Sequence, residues 1–129
     1  MTMFKILVPL VLSLGSAIPA LATCDDPAAF KVDWHGCDKS GLDLFDVDLE
    51  QANLSDVNLN GTYLEEADMK GADLTGADLT GADLNHAEMT GANLTGATLT
   101  DADLFETELS GATWTDGRIC AKLSVGGCE

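Results

Sequence analysis

Four acids, Asp48, Asp68, Glu88 and Glu108, recur at intervals of twenty residues, and two positions earlier Asp46, Glu66 and Glu106 follow the same rhythm, with His86 in the one place between Glu66 and Glu106. Carboxylates repeated in this way suit three kinds of chemistry. A pair flanking a glycosidic bond can hydrolyse it, provided that burial in a cleft raises the pKa of one of them. A cluster converging on one point holds Ca²⁺, which takes about six to eight oxygens. A row of them sets up a field that steers and docks a cationic partner. The other reactive side chains add little. His35 and His86 are far apart in sequence, and neither has a nucleophile and an orienting acid around it. The chain carries 22 acidic against 6 basic residues, a formal charge of −16, which excludes nucleic-acid binding through basic contacts.

What positions these acids is a repeat. From Val32 to Asp116 the sequence divides into 17 pentads without an insertion, from VDWHG and CDKSG through ADLTG to ATWTD. The first letter is small or apolar almost throughout. The third is Leu in twelve pentads, Met at 69 and 89, Trp at 34 and 114, and Lys at 39. Letters two, four and five are mostly polar or Gly. On an α-helix five residues advance by about 500°, which scatters the leucines around the circumference. On a flat strand a period of five sends successive leucines to opposite faces. Collagen needs Gly at every third residue. What remains is a chain that bends equally in each pentad with letters one and three inside, stacking coil on coil to hide its core and pair its backbone. Gly, an acid or an amide at letter five suits the corner, and letter two is expected to be free to vary on the outside. Uniform pentads leave no long loop for a catalytic cleft, so the chain reads as non-enzymatic, with no cofactor, no metal centre and no catalytic residue.

The ends of the chain speak of export. Lys5, the apolar run ILVPLVLSLG and Ala20-Leu21-Ala22 form a signal peptide over residues 1–22, with cleavage expected after Ala22. That run is too short for a membrane span, and no later stretch supplies one. Leu21-Ala22-Thr23-Cys24 approaches a lipidation site, but Thr fits poorly there and modifying Cys24 leaves an odd number of cysteines. Cys24, Cys37, Cys120 and Cys128 all follow the cleavage site. They allow three pairings, and disulfides in a periplasmic or secreted protein are the simplest reading.

Tandem A(D/N)Lxx over residues 32–116 resembles the pentapeptide-repeat proteins, and the ends look like the cysteine-bearing flanks of small exported members. The resemblance implies an all-β fold, a right-handed quadrilateral parallel β-helix (a solenoid) with four pentads per coil and about four coils. Residues 20 apart then stack. Trp34, Leu54, Leu74, Leu94 and Trp114 form one inward column, with Trp34 and Trp114 expected to cap its two ends. Coils spaced by ~4.8 Å separate those ends by about 20 Å, whereas a disulfide spans about 7 Å between Cα atoms. The expected pairs are therefore Cys24–Cys37 and Cys120–Cys128. Lys39, which breaks the inward rule, is expected to reach water from the cap. The expected organisation is a cap segment at 23–31, the repeat at 32–116 and a C-terminal cap with a disulfide at 117–129.

On that framework Asp48, Asp68, Glu88 and Glu108 become one acidic column, flanked by Asp46, Glu66, His86 and Glu106. Stacked like charges ~5 Å apart repel by somewhat under 1 kcal/mol per pair in water. The expected function is an exported interaction or structural module whose acidic face docks a basic protein surface, as a monomer or weak homo-oligomer. Some pentapeptide-repeat proteins mimic duplex DNA and bind topoisomerases, so the resemblance implies a DNA-mimic alternative. Weak, non-selective Ca²⁺ binding is a third. Phe45 and Phe105 share an outer column and read as ordinary surface aromatics.

Overall fold

The physics of a five-residue period demands a bend in every pentad, and the backbone supplies it at letter five. The computed structural model describes residues 23–129, so the expected signal peptide at 1–22 lies outside the described residues. Every fifth residue from Lys31 to Gly111 has positive φ, between 53° and 72°. Each sits third in a four-residue turn, and at all of them except Gly41 and Asp46 a backbone bond closes the turn, such as Val57 N–H to Leu54 O at 3.2 Å and Ala77 N–H to Leu74 O at 3.0 Å. That is the arrangement of a type II turn, which favours Gly at its third place. Asp46, Gln51, Asp56, Glu66, His86, Asp101 and Glu106 occupy it without being Gly, at a cost of roughly 1 kcal/mol each.

The coils stack with the expected interval. Each second-letter residue from Asp33 to Asn93 forms one parallel bridge to the residue twenty positions on, so that Asp33, Asn53, Asp73, Asn93 and Thr113 make a continuous column. Twenty residues are four pentads, and each turn of the chain therefore has four sides. Backbone bonds tie the levels together, as in Leu54 N–H to Asp73 O at 2.7 Å and Asp73 N–H to Ala52 O at 2.9 Å. Letters one and three fill the shaft. Leu54, Leu59, Leu64, Met69, Leu74, Leu79, Leu84 and Met89 are completely buried, with Ala at most first letters between them. Burying such a side chain contributes about 1.5–3 kcal/mol, so the column of third letters is the main source of stability.

Letter two is not free, contrary to the expectation from sequence. At every Asp or Asn in that position from Asp33 to Asp103, Oδ1 accepts the N–H of the residue two further on, at 3.0–3.3 Å. The short side chain satisfies a backbone donor on the outer wall that no neighbouring coil reaches. A side chain one methylene longer does not fit this ring, and Glu88 and Glu108 make no such bond.

The two ends differ. Cys24–Cys37 and Cys120–Cys128 are both formed, with Cα separations of 5.5 and 4.8 Å, as expected. Trp34 is buried, and its Nε1–H donates to Asp26 O at 2.9 Å. Trp114 is only half-buried. Lys39 corrects the expectation of a solvated head. It is 8% exposed, its ammonium lies 4.0 Å from the centre of the Trp34 ring, and it donates to Cys24 O. A cationic donor is retained inside because the ring face and the carbonyl both accept it. At the other end the corner rhythm slips by one: after Gly111 the next positive φ falls on Gly117, not Asp116. The chain then reverses, and Ile119 and Val125 pair antiparallel with Thr113 and Glu108. Among the described residues no helix is long and apolar enough to cross a membrane.

Candidate functional site

The second letters Asp48, Asp68, Glu88 and Glu108 are brought into one column by three parallel bridges, Asp48↔Asp68, Asp68↔Glu88 and Glu88↔Glu108. Letter-five residues Asp46, Glu66, His86 and Glu106 turn the corner beside them, all with positive φ. A shallow depression on this edge is lined by Asp46, Glu66, His86 and Glu88. The acids named from sequence thus share one face.

They are not equivalent. Asp48 Oδ1 accepts the Glu50 N–H at 3.0 Å, and Asp68 Oδ1 accepts the Lys70 N–H at 3.1 Å, so both carboxylates are engaged by their own backbone. Lys70 bridges two coils, with Nζ 3.1 Å from Asp68 Oδ2 and paired also with Glu88. His86 Nδ1 is 3.1 Å from Glu106 Oε2, and its ring meets Phe105 edge-on at 5.8 Å between centroids. These pairs are half-exposed, and each contributes about 0–1 kcal/mol. Lys70 partly neutralises the middle of the face and leaves two acidic lobes, one around Asp46, Asp48 and Glu66, the other around Glu106 and Glu108.

This face presents its carboxylates as an open row. The face is an open wall, and its depression beside Asp46, Glu66, His86 and Glu88 is shallow. Two second-letter acids on another column have their carboxyls lowered by hydrogen bonds. The Ser40 hydroxyl and then its N–H hold the Asp38 carboxyl below its ordinary value, and the Thr80 side chain and N–H do the same for Asp78. Among the described residues no three His, Cys, Asp or Glu side chains come together as metal ligands. The remaining histidine, His35, contacts the next coil through Nδ1, 2.7 Å from Ser55 Oγ and 3.0 Å from Ser55 O. Ser55 Oγ in turn donates to Asn53 Oδ1 at 2.6 Å, a surface clasp between two levels. Sequence reasoning missed this clasp, although the interval of twenty between His35 and Ser55 announces it.

The family model for pentapeptide repeats matches residues 43–81 and 72–111, in eight copies. The chain belongs to the pentapeptide-repeat family. HetL from the cyanobacterium Nostoc sp. strain PCC 7120, a pentapeptide-repeat protein involved in heterocyst differentiation regulation, is 40% identical with a TM-score of 0.68 over 69% of this chain and 41% of its own. The pentapeptide-repeat protein alr5209 from Nostoc PCC 7120 is 35% identical with a TM-score of 0.59, over 61% of this chain and 64% of its own. AT2G44920, from the Arabidopsis thaliana thylakoid lumen, is 35% identical with a TM-score of 0.46 over 64% of this chain and 53% of its own. The chain therefore spans less than two thirds of the length of each of these proteins. No curated protein matches it. The likeness to the Nostoc structures implies the right-handed, four-sided β-helix expected of a pentapeptide-repeat chain.

Proposed function

We propose that this pentapeptide-repeat protein is an exported, non-enzymatic interaction module of about four coils that docks a basic protein surface on its acidic face. Its proposed organisation is a cleaved segment at 1–22, a cap at 23–31, the repeat at 32–116 and a C-terminal cap at 117–129. The observation that carries the reading is the chemistry of the second letters. Asn makes the same backbone bond as Asp, and does so at Asn53, Asn58 and Asn93. Glu88 and Glu108 make no such bond at all, so their charge exceeds anything the backbone requires. Excess like charge in register costs stability, and a partner of opposite sign is what offsets it. Export is supported by the two disulfides, which suit an oxidising compartment better than a reducing cytoplasm. That argues against the DNA-mimic alternative.

The experiment has two arms. Alkaline phosphatase fused after Glu129 works only when it is exported, so an inactive fusion refutes the compartment. For the face, the oxidised protein is immobilised at low salt and envelope extract is passed over it. Glu88→Lys with Glu108→Lys should release a retained basic protein, while Thr98→Lys with Thr113→Lys, on other columns, should not. Equal retention by both variants removes the face from consideration.

A further inference from the structure

Two of the four columns of bridges stop short at the C-terminal end. Those through Glu108 and Thr113 continue into antiparallel pairing with Val125 and Ile119, whereas those through Thr98 and Asp103 end there. One coil earlier, the N–H groups of Leu79, Gly81, Leu84 and His86 donate to Thr98, Thr100, Asp103 and Phe105 carbonyls at 2.8–2.9 Å. Their counterparts at Leu99, Asp101, Leu104 and Glu106 make no backbone hydrogen bond among the described residues. The core opens at the same place. Leu79, Ala82 and Leu84 are buried, but Leu99, Ala102 and Leu104 above them are only partly so. Phe105 and Val125, 61% and 45% exposed, stand beside Leu104 in a shallow groove.

We infer that this open edge takes an extended peptide of alternating apolar and basic residues as one further layer of the solenoid. The argument has three parts. A row of unpaired N–H groups at a sheet edge is a template for strand addition, in which main-chain bonds give affinity and alternate side chains give specificity. Alternate side chains of the added strand would cover Leu99 or Leu104, completing a shaft whose lower levels are closed. The rim then sets the sign: Asp101, Asp103 and Glu106 surround the edge, so Lys or Arg belongs at the outward positions. A second copy of this chain is disfavoured on the same ground, because it carries these acids and a formal charge of −16 to the contact. About five to seven residues, at ~3.3 Å each, span one side and its corner. The edge lies at the end of the tower and shares Glu106 with the acidic face proposed above, so the two are told apart by variants at Glu88 and Glu108.

The test is amide exchange on the full, oxidised, ¹⁵N-labelled chain, followed residue by residue. The probes are a synthetic heptapeptide of alternating Val and Lys, the same peptide N-methylated at alternate residues, and a Val-Glu counterpart. The Val-Lys peptide should slow exchange at Leu104 and Glu106, or at Leu99 and Asp101, by about tenfold or more, and the other two should not. Asp101→Asn with Glu106→Gln should weaken binding on the order of three- to tenfold at low salt. Glu88→Lys with Glu108→Lys should leave the exchange protection in place, which separates this edge from the acidic wall. The inference fails if these amides are protected before peptide is added, since the chain itself or a second copy then fills the edge. It fails equally if the N-methylated peptide protects as well, or if millimolar Val-Lys peptide changes nothing.

Discussion

The ammonium of Lys39 lies 4.0 Å from the centre of the Trp34 ring, at an inward position that the other pentads give to Leu, Met or Trp. The same group donates to Cys24 O, and Cys24 is bonded to Cys37. One side chain therefore joins the first layer of core, the N-terminal segment and the disulfide. Lys39→Ala should destabilise the fold by about 2–3 kcal/mol, through a cavity and a lost charge-assisted bond. Lys39→Met fills the space and should cost less than about 1 kcal/mol. Urea unfolding of the oxidised protein measures both, and equal losses would show that the ammonium, not the volume, is what matters.

The ring formed by second-letter Asp and Asn predicts a pattern of substitutions. Asp73 Oδ1 accepts both the Thr75 N–H at 3.0 Å and its hydroxyl. Asp73→Asn keeps the acceptor and should be neutral within about 0.5 kcal/mol, while Asp73→Ala should cost about 1 kcal/mol. Glu88→Gln, at a second letter without the bond, should be neutral or mildly stabilising. A loss at Glu88→Gln as large as that at Asp73→Ala would mean that the backbone bond does not explain the preference for short acids.

Acidification tests the same bond from another side. The Asp38 carboxyl is held below its ordinary value of 3.8, first by the Ser40 hydroxyl and then by its N–H. A lowered folded-state pKa means that the contribution is fully present above the unfolded value and is lost as pH falls through the folded one. The stability gap between the wild type and Asp38→Ala should thus be constant from pH 7 to about 5. It should narrow below pH 3.8 as Asp38 protonates. Thermal melts at a series of pH values read the gap, and one that widens on acidification contradicts the assignment.

The repeat was legible because its signal is redundant: the third letters from Leu44 to Leu109 each report the same inward direction, so no single exception obscures it. The interval of twenty, and with it the acidic column and both disulfides, followed from that period and the family resemblance. What escaped was local geometry on the outside. An Asp that accepts its own backbone and an Asp that merely faces water are the same letter, so Asp48 and Asp68 could not be told from Glu88 and Glu108 in role. The burial of Lys39 depends on the path of Cys24 over Trp34, which no periodicity encodes. The half-open C-terminal end depends on where residues 117–129 lie, and those residues leave the repeat.

Corner strain gives the last prediction. Glu66 has φ of 59° and Gly81 has φ of 66°, yet both close the same type of turn. A side chain in this region costs roughly 1 kcal/mol, whereas Gly adopts it freely and loses more conformational entropy on folding. Gly81 has open space where a Cβ would stand, so Gly81→Ala should cost only the backbone term, about 1 kcal/mol. At Gly76 the added Cβ would also crowd Asp56 Oδ1, and Gly76→Ala should cost more than Gly81→Ala until that flexible carboxylate moves away. Asp56→Gly removes the crowding group, and Gly76→Ala measured in that background, against the Asp56→Gly single variant, should cost only what Gly81→Ala costs. Denaturation midpoints decide the matter: if Gly76→Ala costs as much in the Asp56→Gly background as in the wild type, the cost lies in the backbone alone, and the stacking of corners twenty residues apart carries no energy.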